Sequence, residues 1–104
     1  MFARHVSIHL KSNMLSDYTR TFENDTLPLL RQQKGFKDEI TLSNPGSLDV
    51  IAISLWDSKA NAETYNTNAY PQVLRTFERI IDGAPKVQTF EAVTSTFHNA
   101  AVAA

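Results

Sequence analysis

Apolar and polar residues alternate along the first ten positions of the chain. Phe2, Val6, Ile8 and Leu10 fall on one side, and Ala3, His5, Ser7 and His9 on the other. A period of two predicts a strand. Arg4 is out of place, a cation on the apolar side, and it leaves open which side of the strand meets the rest of the protein. From Leu15 the period lengthens. Leu15, Tyr18, Phe22, Thr26, Leu29 and Leu30 recur at steps of three and four, the stripe of a helix with one apolar side. Asn13 or Ser16 can cap it. Pro28 interrupts the stripe and removes a backbone donor, so a kink near Asp25 or a break is expected. Gly35 suits the left-handed position that ends a helix.

Alternation returns from Phe36 to Ser43, with Phe36, Asp38, Ile40 and Leu42 on one side. Asn44-Pro45-Gly46-Ser47 is turn chemistry, which predicts a hairpin into the strand Val50 to Trp56. Ile51, Ile53 and Leu55 face one way there, and Val50, Ala52, Ser54 and Trp56 the other. A strand apolar on both sides belongs inside a sheet whose two faces are both covered. Asp57 or Ser58 can cap a second helix running through Ala62 and Tyr65. Asn66, Thr67 and Asn68 weaken it, and Pro71 fits the first turn of a continuing segment. Val73, Leu74, Phe77, Ile80 and Ile81 make a helical stripe that Asp82-Gly83-Ala84-Pro85 stops. Lys86 to Phe97 reads as the last strand.

The order is β-α-β-β-α-β. Two right-handed β-α-β units give an α+β, ferredoxin-like fold: a four-stranded antiparallel sheet, strands one and three central, both helices on one face. The other face would then expose a contiguous apolar surface. Packing two copies sheet to sheet, as a homodimer, is the economical way to cover it. Residues 1–98 read as one domain and 99–104 as a small-residue tail.

Composition narrows the function classes. A chain of 104 residues with net charge -1 and scattered basic residues does not look like a nucleic-acid binder. No apolar run approaches the roughly 20 residues that span a bilayer, and the first ten residues lack the pattern of a secretion signal. The absence of cysteine excludes disulfides and thiolate chemistry and suits a reducing cytoplasm, the expected location. Three glycines cannot build a phosphate-cradling loop, and no Ser-His-Asp order is present.

Leu27-Pro28-Leu29-Leu30 followed by Gly35-Phe36, and Ser54-Leu55-Trp56-Asp57-Ser58 followed by Ala62 and Tyr65, resemble the antibiotic biosynthesis monooxygenase family. That family belongs to the dimeric α+β barrel superfamily, and the resemblance covers residues 2–97. It implies a pocket between sheet and helices for a small apolar or aromatic molecule, with no metal and no cofactor. Haem-degrading members of the superfamily carry an aromatic on the second helix and a ligating histidine roughly ten residues further on. Tyr65 matches the aromatic, but Arg75 stands in the histidine's region, and no histidine lies between His9 and His98.

The resemblance thus leads to a cofactor-independent monooxygenase acting on a small aromatic or quinol-like compound. Tyr18, Phe22, Trp56, Tyr65 and Tyr70 would wall its pocket, Arg75 would stabilise an anion, and His5 or His9 would accept a proton. His5 and His9 cannot share a metal ion, because four residues of strand span about 13 Å. Whether they line the pocket or the dimer interface depends on the undecided face of the first strand. Asp38 and Glu39 read as solvated charges. Two alternatives stand beside this reading. One is a non-catalytic small-molecule-binding or stress-associated dimer. The other is an isomerase or decarboxylase on the same scaffold with a histidine base.

Overall fold

The computed structural model describes residues 1–96; the expected tail, with Phe97 and His98, lies outside the described residues. Strands β1 (Phe2–His9), β2 (Phe36–Ser43), β3 (Asp49–Trp56) and β4 (Lys86–Glu91) form one antiparallel sheet in the order β2-β3-β1-β4. β1 and β3 are central, as their sequences predict, and the fold is the ferredoxin-like α+β arrangement. β4 stops at Glu91 rather than at Phe97. Among the described residues its strand partner is β1, and Glu91 already lies opposite Phe2. The Ala92 N–H reaches the Met1 carbonyl at 2.9 Å, one residue outside β1.

Pro28 neither breaks nor simply kinks the first helix. Helix α1 (Leu15–Thr21) widens into a π-helical stretch, Phe22–Thr26, in which the Leu27 N–H bonds the Phe22 carbonyl five residues back. Helix α2 (Leu27–Arg31) then restarts with Pro28 in its first turn, where a missing N–H costs least. The wider turn makes room for the proline ring, which would otherwise strike the carbonyl four residues earlier.

Helices α3 (Lys59–Asn68) and α4 (Tyr70–Thr76) meet at Ala69. Ser58 is the cap of α3: its Oγ accepts the Asn61 N–H at 3.2 Å. The predicted stripe Val73 to Ile81 overruns α4. The chain tightens after Thr76, and Ile80 leaves the helix to accept the Lys11 N–H at 2.9 Å while its side chain stays fully buried.

Registration decides which side chains meet the helices. Phe2, Arg4, Val6 and Ile8 of β1 stand beside Trp56, Ser54, Ala52 and Val50 of β3 on that side. β2 contributes Phe36, Glu39, Thr41 and Ser43 there, because a bulge between Phe36 and Asp38 reverses the alternation. Phe36 therefore does not share a face with Asp38, Ile40 and Leu42. It packs on Trp56 at a centroid distance of 5.6 Å.

Gly35 joins the two halves. It takes φ +83°, and its carbonyl accepts the Asp57 N–H at 2.8 Å. A Cβ there would strike the Asp57 and Asn61 side chains, which are locked together by a 2.8 Å hydrogen bond. Gly35→Ala should cost about 2 kcal/mol or more, from the positive φ plus overpacking. Urea denaturation would measure it, and an unchanged midpoint would mean that Gly35 is not under this constraint.

Candidate active site

Three cross-strand neighbours on the helix side are polar where the rows around them are largely apolar. Arg4 of β1 lies opposite Ser54 of β3, which lies opposite Glu39 of β2. Two strand spacings separate Arg4 from Glu39, about 10 Å between backbones. Above this row, between sheet and helices, is a cavity of ≈ 50 Å³ whose walls include Arg4, Ser54, Glu39, Tyr18, Tyr65 and Tyr70. Its remaining lining is mostly aliphatic or phenyl, from residues such as Val6, Ile8, Leu30, Val73 and Phe77.

Arg4 is 3% exposed. One guanidinium nitrogen donates to Asn66 Oδ1 at 2.8 Å, and the guanidinium carbon lies 5.0 Å from the Tyr65 ring centre and 4.4 Å from that of Tyr70. Contacts of this kind are worth about 0.5–2 kcal/mol each. No carboxylate of the described residues lies within ion-pair distance of it. Burial lowers its pKa, and the Tyr65 and Tyr70 hydroxyls oppose that shift.

Glu39 sits at the other end of the row, partly buried, with Oε2 accepting the Thr41 hydroxyl at 2.8 Å. Burial raises its carboxyl above the ordinary range, and the Thr41 hydrogen bond only partly restores it. A carboxylate raised by desolvation on a cavity wall has the character of a general acid or base. The phenols are held neutral instead. Burial and the Glu39 charge push Tyr18 up, and burial pushes Tyr65 up to about 12 against the pull of Arg4.

Tyr18, Phe22 and Glu39 also line an outer cleft of ≈ 370 Å³ between α1 and β2. These three side chains therefore separate the cavity from the cleft. Thr26, at the end of the π-helical stretch, is 3% exposed and lines the cavity with its Oγ1 unpartnered. Thr19, Thr64 and Thr76 each donate to the carbonyl four residues back. Thr26 does not, and its Phe22 carbonyl takes the Leu27 N–H. An unpaired buried hydroxyl costs about 1–3 kcal/mol.

The expected aromatic wall is partly assembled. Tyr18, Phe22, Tyr65 and Tyr70 line the cavity. Trp56 does not: it is fully buried under Tyr65 at 5.0 Å, with Nε1 donating to Ser54 Oγ at 2.9 Å, and serves as a core anchor. The expected catalytic trio is not brought together. His5 and His9 point away from the helices because Arg4 and Ile8 point towards them. His5 meets Phe90 edge-on at 6.3 Å, with its Nδ1 buried and unpartnered. His9 Nδ1 pairs with Asp49 Oδ1 at 2.8 Å in solvent. Arg75 is exposed on α4 and lines neither the cavity nor the cleft. The cation at the cavity is Arg4 and the carboxylate is Glu39. In the sequence the first reads as a flaw in an alternation and the second as a solvated charge. Among the described residues no cluster of three or more histidine, aspartate or glutamate side chains could hold a metal. No helix among them is long and apolar enough to cross a membrane.

The architecture is shared with solved structures. A protein of unknown function from Nitrosomonas europaea superposes with TM-score 0.77 at 13% identity, covering 92% of each chain. SnoaB, a cofactor-independent oxygenase from Streptomyces nogalater, gives 0.76 at 10% identity, covering 91% of this chain and 95% of its own. An antibiotic biosynthesis monooxygenase gives 0.71 at 11% identity, covering 90% of this chain and all of its own. At such identities the likeness is one of fold. No family model matches the sequence, and no curated protein matches it.

Because the folded state raises the Glu39 pKa from 4.5, it holds that proton to higher pH than the unfolded chain. Glu39 therefore costs stability increasingly as pH rises through 4.5 to its folded value, and costs nothing where both states are protonated. Glu39→Gln should raise the Tm at pH 7 by up to a few degrees, with the gain vanishing below pH 4.5. Calorimetry across that range checks it; a pH-independent difference would place Glu39 in bulk solvent.

Proposed function

We propose that this protein is a cofactor-independent monooxygenase of a small phenol or quinol. One observation carries the reading: Glu39, a carboxylate raised by burial, faces a mostly apolar cavity walled by Tyr18, Tyr65 and Tyr70. Such a carboxylate can take the phenolic proton, and a buried anion shielded from water is electron-rich enough to meet dioxygen directly. The overall conversion balances without a reductant. A phenol and O₂ give a quinone and water, the ring supplying all four electrons. The resting cavity holds about one or two waters, so the ring enters as Phe22 and Tyr18 yield and join it to the outer cleft. Cleft and cavity together have the volume of an ordinary ligand site. SnoaB, described as a cofactor-independent oxygenase, supports this reading by its fold.

Oxygen-electrode assays of chelator-treated protein with a panel of phenols and quinols test it. Uptake should occur with at least one, and Glu39→Gln should slow it by about 10²-fold or more. The alternative, a non-catalytic binding dimer, draws on the smallness of the cavity; ligand binding without oxygen uptake would select it. The isomerase or decarboxylase alternative called for a histidine base, and neither His5 nor His9 lines the cavity.

The reading includes a homodimer. Ile40, Leu42 and Phe90 are exposed on the sheet face away from the helices, around half-buried Ala3, Ile51, Ile53 and Leu55. That face is roughly 19 by 26 Å, about 500 Å² per copy, so a second copy laid on it buries about 1,000 Å² in total, at the lower bound of biological interfaces. Light scattering should give a dimer, and Ile53→Asp, at the centre of the face opposite His5 and Ile40, should give monomers. A monomeric parent would sink the dimer.

A further inference from the structure

We infer that the ligand of this cavity carries a carboxylate, bound by Arg4, at the opposite end from the hydroxyl that meets Glu39. The ligand class is a hydroxyaryl carboxylate, and this rests on the proposed phenol chemistry at Glu39. The first ground is the unbalanced charge. Arg4 is 3% exposed yet has no carboxylate partner among the described residues, and its hydrogen-bond partners, Asn66 Oδ1 and the Tyr70 hydroxyl, are neutral. A guanidinium presents five donors in a planar fork that matches a carboxylate, and a buried cation without a counter-ion is costly. A ligand carboxylate would supply both the acceptors and the charge.

The second ground is placement. Arg4, Ser54 and Glu39 form one row across the cavity wall. Their backbones, about 10 Å apart from end to end, match the length of one aromatic ring with a polar group at each end, admitted once Phe22 and Tyr18 yield. Tyr65 and Tyr70 flank the cation, so the ring would approach it among other rings. The third ground is independent of charge. Thr26 lines the same cavity with a buried, unpartnered hydroxyl. The ligand's oxygen atoms give it a partner that the protein does not.

The experiment is a binding titration by calorimetry under anaerobic conditions, comparing 4-hydroxybenzoate with its methyl ester, two ligands of the same ring and phenol. The acid should bind about tenfold more tightly or better, as expected for a charge-assisted contact replaced by a neutral one. Arg4→Met should erase that preference while raising the Tm of the unliganded protein, because it removes an unpaired buried charge. A merely structural arginine would lower the Tm. Equal affinity of acid and ester, binding of neither, or a preference that survives Arg4→Met would overturn the inference. Should Arg4→Met fail to fold, the wild-type ratio decides, together with Thr26→Val, which should weaken both ligands equally. Because no oxygen is consumed in this titration, its outcome is separate from that of the oxygenase assay. Tight acid binding without later oxygen uptake would leave the ligand class standing and sink the oxygenase.

Discussion

The pleat of β1 controls the chemistry of both faces of this protein. β1 pairs with β3 on one side and β4 on the other, so its alternation is imposed on the whole sheet. Turning Val6 and Ile8 towards the helices forces Arg4 to follow them and forces His5 and His9 the other way. A one-residue slip would exchange the two sets. It would place imidazoles in the cavity and Val6, Ile8 and the Arg4 charge on the open face. The native choice buries two aliphatic chains and Phe2 at the cost of burying a cation. Tyr65, Tyr70 and Asn66 then soften that cost.

Much of the fold was legible because its signals are local. The hairpin at Asn44 to Ser47, the Ser58 cap and the two-sided apolar strand β3 each follow from a few adjacent residues, and the element order follows from them. What could not be read was the outcome of competition between elements. Pro28 announced a disturbance, but its resolution as a π-helical stretch depends on how α1 and α2 both pack. The reversal between Phe36 and Asp38 needs a partner strand to define it. β4 was overextended because nothing in Lys86 to Phe97 says where β1 begins to offer hydrogen bonds.

The site was less legible for the same reason. Arg75, expected from the resemblance to stabilise an anion, sits exposed on α4. The cation that does line the cavity, Arg4, comes from the far end of the chain. Arg4 reaches Tyr65 and Tyr70 only through the β-α-β crossover. Its one sequence signal was that it spoiled an otherwise apolar side, and a polar residue on a core face is either an error of register or a functional group. Glu39 gave a fainter signal, since β2 is an edge strand of mixed polarity and its bulge moves Glu39 inward. Tyr18, Phe22, Tyr65 and Tyr70 were found because large aromatics on a helix stripe face the core whatever the register.

Arg4 and Glu39 occupy the same cross-strand row and yet do not pair with each other. Ser54 stands between them, and the Arg4 side chain leans towards Asn66 on α3 while Glu39 holds Thr41. A fold selected only for stability would bring the two charges together or replace both with aliphatic side chains, since buried ions are commonly neutral or unfavourable against well-packed apolar substitutes. Keeping them apart across a cavity leaves a desolvated cation at one end and a carboxylate whose pKa burial raises at the other. The orphaned Thr26 hydroxyl adds to the same deficit. Together these groups form a dipole with its middle unfilled. The ligand inferred above would complete it, being flat, apolar at its centre and oxygenated at both ends.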